Sequence, residues 1–293
     1  MSTTCTFRRP NLKTRRCLPP RRPSRRLRHR ADPHPRPRPR VRCWLAALPL
    51  LLGAAACVHR PAPPVAQPLP SYERVVAQFQ VAAFGSDFSD REVPLSRWIG
   101  HIRWRADLPD NAMAAEIRRA LPRHMADITA ATGIRFREVD GQAKAEVTIA
   151  LAPRRAFAAR LADLMTENPE VTHLAHDSAC NAVYMVFGGT MIYRSRILIG
   201  ADIPASLRRD CVLEEVVQAM GLPADACHYR PSLFCEADRV YRLHGPDAIL
   251  LRTLYDPRLT PGMSRAEAMP IAREIIWELW LEYQGFRRPN LMV

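Results

Sequence analysis

Glu214, Glu215, Gln218 and Gly221 interrupt an apolar run, Cys211 to Leu222, and are the residues whose types and spacing could do chemistry. At 3.6 residues per turn, Glu214, Gln218 and Gly221 share one face of a helix with Glu215 beside them. Val212, Val216 and Met220, with Leu213 and Val217, make its apolar sides. Two ligating side chains four apart can hold a metal ion from one side, and a neighbouring glutamate can serve as general base toward a bound water. Polar groups therefore stand where the rest of the helix is built for burial.

The spacing is that of the zincin metalloprotease helix H-E-x-x-H-x-x-G, with both histidine positions changed, to Glu214 and Gln218, and with Glu215 and Gly221 matching. Two readings follow. In the first, Glu214, Glu215 and Gln218, joined by Asp225 or by one of His173, His176, His228 and His244, form a metal or hydrolytic centre acting on a peptide or cell-wall substrate through Glu215. A neutral glutamine amide is a weak ligand, however, and catalytic zinc takes ligands in which nitrogen or sulfur is prominent. In the second, no metal or other cofactor is bound. Hydrogen bonds from Glu214 and Gln218 then tie the helix to the chain beyond Gly221, since burying these groups unpaired costs on the order of a few kcal/mol each. The residue types favour the second reading, a binding or scaffolding domain without catalysis.

The elements that must position this helix are legible from periodicity. Helices are expected over Tyr72 to Phe84, Asn111 to Thr132 (stopped by Gly133), Arg154 to Met165 and Leu243 to Tyr255. A last helix opens with a capping box at Ser264 and Glu267. Strands are expected over His101 to Ala106, Ile134 to Val139, Lys144 to Ala152, Ala182 to Phe187 and Met191 to Ala201. The central helix follows, with Ser206 or Asp210 as its N-cap. Trp277, Trp280 and Tyr283 read as packing residues of the last helix. The sum is an α+β chain with a mixed, twisted sheet, long helices and a small helical C-terminal part.

The chain's net charge of +14 resides in its first 43 residues, which hold fifteen Lys and Arg and one acidic residue, Asp32. The remainder is balanced, so no basic surplus exists to neutralise phosphates and nucleic acid is not an expected partner. Residues 1–43 are too poor in apolar side chains to fold. Residues 44–57 form a short apolar run ending Ala54-Ala55-Ala56-Cys57, too short for a permanent span and similar to a bacterial lipobox, where the cysteine is lipidated. A plain cleaved signal and an uncleaved anchor are the alternatives. The length of the basic region points to a translation start nearer Val41. Residues 58–70 are a proline-rich linker, and 71–293 read as one globular domain. The expected address is the bacterial cell envelope: a membrane anchor through lipid on Cys57, the domain facing the periplasm, the outer membrane favoured by Val58, and an envelope protein or peptide as partner. Four cysteines remain beyond Cys57, allowing three pairings. Cys180 precedes a strand and Cys211 begins the central helix, while Cys227 and Cys235 close a short loop. The expected bridges are therefore Cys180–Cys211 and Cys227–Cys235.

The order of strands before the polar-faced helix resembles a zincin-like N-terminal half with a smaller helical part behind the cleft. Cys211 to Leu222, and Arg239 to Met263 with its stretch Gly245 to Pro257, are similar to the proteobacterial lipoprotein family called domain of unknown function 2927, and the resemblance covers Ser71 to Ala268. Members carry E-E-x-x-Q-x-x-G at the motif, matched here by Glu214, Glu215, Gln218 and Gly221. They often carry Asn-Asp where this chain has Ala224-Asp225. The resemblance implies a degenerate zincin-like domain at the envelope. It implies no reaction.

Overall fold

The computed structural model describes residues 69–86, 91–141, 143–162, 178–243 and 245–286. Cys57 with the whole leader and most of the linker, and His173, His176 and His244, lie outside the described residues.

The described chain is α+β. In order it forms α1 (Tyr72–Phe84), β1 (Ile102–Asp107), α2 (Ala112–Thr132), β2 (Phe136–Glu138), β3 (Val147–Ala152), a 3-10 turn with α3 (Phe157–Leu161), β4 (Cys180–Phe187) and β5 (Met191–Gly200). Three helices complete it: α4 (Ala205–Gln218), α5 (Gly245–Leu254) and α6 (Arg265–Tyr283). The sheet order is β2-β1-β3-β5-β4, with β4 alone running antiparallel, at one edge. β3 is buried at nearly every position, as a strand covered on both faces must be. One face carries Ile102, Trp104, Ile149, Ile197 and Ile199 into the main core, which α1, α2, α4, α5 and α6 complete. The other face holds a small second cluster, Ala150, Ala152, Phe157, Leu161 and Leu198.

Local signals set most boundaries. α2 starts where the Asn111 side chain accepts from Ala114 N at 2.9 Å and ends at Gly133, whose N–H reaches Thr129 O at 2.8 Å. The capping box of Ser264 and Glu267 starts α6. Three expectations are corrected. The helix expected from Arg154 is a 3-10 turn followed by five α-helical residues, Phe157–Leu161. The central helix begins after Pro204, so that Ser206 and Asp210 lie inside it and neither is its N-cap. Proline fixes φ near the value that helix entry needs, and Pro204 O accepts from Arg208 N at 3.0 Å. Asp210 instead turns inward to take the backbone N–H of Val240 at 2.7 Å. The Ile134 to Val139 strand shrinks to three residues because β2 pairs with β1 over three positions only. On α6, Trp277 and Trp280 stack and Tyr72 meets Trp277 edge-on, although Trp277 and Tyr283 remain about half exposed.

Candidate functional site

α4 lies against α2, β4 and β5, and the Cys180–Cys211 disulfide fastens it to the first residue of β4 across a Cα–Cα distance of 6.0 Å. The second expected bridge, Cys227–Cys235, closes the loop beyond the helix. Between the start of β4 and the polar face of α4 runs a cleft of about 340 Å³, lined by Ser178 to Ala182, Glu214, Glu215, Gln218, Asp225, Glu236 and Arg239, among others. The structure thus brings Glu214, Glu215 and Gln218 together, as their spacing implies, and Asp225, one of the alternative partners, stands with them. Its other charged members, Glu236 and Arg239, went unread in the sequence. Their signal is the Cys227–Cys235 loop, which carries the chain after Cys235 back toward α4.

The individual side chains differ sharply. Gln218 Nε2 donates to Asp225 Oδ1 at 2.8 Å, joining the helix to the segment beyond Gly221. Glu215 is buried at the cleft. Glu214 is half-buried, and burial, reinforced by the carboxylates of Asp225, Asp210 and Glu236, pushes its pKa up to about 9. The expected hydrogen bond from Glu214 is not found among the described residues, because its neighbours are mainly acceptors. Asp210, one turn earlier, is pushed up to about 6 by burial, against the donation from Val240 and the charge of Arg239.

These states decide what the site can hold. Burial and the neighbouring carboxylates favour the protonated form of Glu214, and Gln218 presents an amide N–H to Asp225, so neither side chain matches the imidazole that holds zinc in the metalloprotease motif. Catalytic zinc takes ligands in which nitrogen or sulfur is prominent, and a protonated acid beside an amide already engaged by Asp225 is a poor substitute for them. Among the described residues no group of three or more His, Cys, Asp and Glu is arranged to hold a metal ion. Ala224 packs toward α1, where its N–H reaches Ala82 O at 3.3 Å and its side chain lies against Gly85. His228 is exposed and outside the cleft lining, and its backbone N–H is held by Gln78 Oε1 at 2.8 Å.

The end of the motif helix is braced from below. Gly221 has φ +111°, and a Cβ there would stand 2.0 Å from Ser96 O, so the segment before β1 passes directly under the turn. The indole N–H of Trp98 donates to Ala219 O and the Tyr255 hydroxyl to Met220 O, both at 2.9 Å, satisfying carbonyls that a helix terminus leaves open. Beyond it, residues 222–243 have no helix or strand and are held by buried side chains. Asp247 accepts from Tyr229 Oη, Ser232 Oγ and Leu233 N, each at 2.8 Å, and Gln78 Nε2 donates to Ala226 O and Ser232 Oγ.

A family model described as "Protein of unknown function (DUF2927)" matches residues 73–274. No curated protein matches the chain.

Proposed function

The chain belongs to the family of proteins of unknown function DUF2927, and we propose that its domain is a zincin-like binding module without catalysis, held at the bacterial envelope by lipid on Cys57, that takes an extended peptide in the cleft. The observation that carries this reading is the Gln218–Asp225 hydrogen bond, which joins the helix to the chain beyond Gly221 where a metalloprotease uses its ion. The peptide is suggested by β4. Among the described residues this strand pairs on one side only, with β5, and its first residues line the cleft, so the backbone donors and acceptors of its other edge can accept an added strand. The zincin-like reading is supported by the motif helix packed on a mixed sheet, followed by the helical C-terminal part. The envelope reading is supported by the small residues that precede Cys57 and by two disulfides, which persist in oxidising compartments.

Two measurements test this. Casein and peptidoglycan are offered to the purified protein with and without added zinc, beside Glu215→Gln. We expect no turnover in any sample, whereas hydrolysis abolished in Glu215→Gln would replace this reading with a hydrolase. Intact-mass analysis of the membrane fraction should find a chain starting at lipid-modified Cys57; a chain retaining Met1 would remove the anchor from the proposal.

A further inference from the structure

Of the eight large apolar side chains exposed among the described residues, four meet at one end of the sheet: Phe187 at 69%, Ile99 at 60%, Tyr193 at 46% and Met191 at 39%. They occupy the end of the β4–β5 hairpin, opposite the part of β4 that lines the cleft, and the loop beside it. Phe187 and Met191 are paired across the turn Gly188-Gly189, and Ile192 N donates to Arg97 O at 3.0 Å, fixing the Ile99 loop to the hairpin. β5 begins four residues before its pairing with β3 at Ser195, so this end extends past the central strands. An apolar patch of this kind is seldom left to water without use.

Next to it along β5 lies a basic groove of about 490 Å³ on the outer face of the sheet, lined by Arg105, Lys144, Arg160, Arg194 and Arg196 with Asp107. Arg105 is paired with Asp107, but Lys144, Arg160 and Arg194 make no ion pair with any described residue. Arg194 directly follows Tyr193 on β5, so the basic groove begins where the apolar end stops. We propose that this end of the sheet is a peripheral membrane contact: Phe187, Met191, Tyr193 and Ile99 enter the acyl boundary of an anionic bilayer while Lys144, Arg160 and Arg194 meet its phosphates. An exposed apolar hairpin end suits a yielding lipid layer, and its neighbouring positive charge selects anionic headgroups. This contact goes beyond the peptide cleft and stands independently of it and of lipid on Cys57.

The test uses the full chain carrying Cys57→Ser, so that no lipid on that residue contributes, sedimented with vesicles of phosphatidylethanolamine alone and with added phosphatidylglycerol. Every comparison is made within this background, where the basic leader is common to all samples. We expect Phe187→Ser with Met191→Ser to weaken binding to the anionic vesicles about tenfold or more. Arg160→Gln with Arg194→Gln should weaken it and flatten its salt dependence, leaving the weak binding to zwitterionic vesicles unchanged. If the first pair lowers the melting temperature, Ile99→Ser with Tyr193→Ser asks the same question from the other side of the patch. Binding that matches the parent in a folded variant of either kind would overturn the proposal.

Discussion

Glu214 carries the clearest physical signature of the site. Its folded-state pKa is raised from 4.5 to about 9, so between these values the folded protein holds a proton that the unfolded chain has released. The stability due to this proton is complete below about pH 4.5 and is lost as pH rises toward 9. Replacing the acid by its neutral isostere removes that dependence. Glu214→Gln should therefore flatten the alkaline side of the stability profile and be more stable than the parent at pH 8 by roughly 1–3 kcal/mol, as read from urea unfolding across pH. Gln218→Ala loses a partly exposed, charge-assisted hydrogen bond to Asp225 and should cost about 1 kcal/mol by the same measurement. Because an acid and a neutral amide are poor replacements for the two zinc-binding histidines, chelator should leave the melting temperature of both proteins unmoved; a large fall in EDTA would contradict this account of the donor set.

At the level of elements, α4 depends on its two ends. Gly221→Ala combines a left-handed φ with a Cβ 2.0 Å from Ser96 O, a backbone atom that cannot step aside. It should destabilise by about 3 kcal/mol or more in thermal or urea melts. At the other end, Cys180→Ser with Cys211→Ser opens a bridge spanning 31 residues and should cost roughly 3 kcal/mol. What could be read in advance follows the range of the interactions. α2 was legible to a residue because Asn111 and Gly133 act within one turn of the helix. The motif face and the Cys180–Cys211 bridge are legible because periodicity places Cys180, Cys211, Glu214 and Gln218 relative to a strand and a helix, and the Cys227–Cys235 bridge because its cysteines close a short loop. The N-cap of α4 was misread because Asp210 has a capping residue's chemistry, and only its distant partner Val240 shows that it is employed elsewhere. The hydrogen bond expected of Glu214 failed for a related reason: the acidity of its surroundings is assembled from Asp225 and Glu236, which no local pattern brings near.

At the scale of the molecule, charge was the most legible property. The chain's net charge of +14 belongs to residues 1–43, and the folded part is balanced overall while segregating basic side chains to the outer face of the sheet and acidic ones to the cleft. That segregation depends on strand register and was invisible beforehand. So was the bracing of residues 222–243, whose anchors Gln78 and Asp247 come from α1 and α5. This bracing bears on how the segment moves. Four of its amides, His228, Ser232, Leu233 and Val240, are bound by the side-chain oxygens of Gln78, Asp238, Asp247 and Asp210 at 2.7–2.9 Å. Three of those acceptors sit on helices of the main core or are packed within it, so freeing an amide requires the core to open. In deuterated water these loop amides should lose their protium as slowly as those of β3, and together in a single cooperative event. A stretch without regular secondary structure would then belong to the slowest-exchanging unit of the fold.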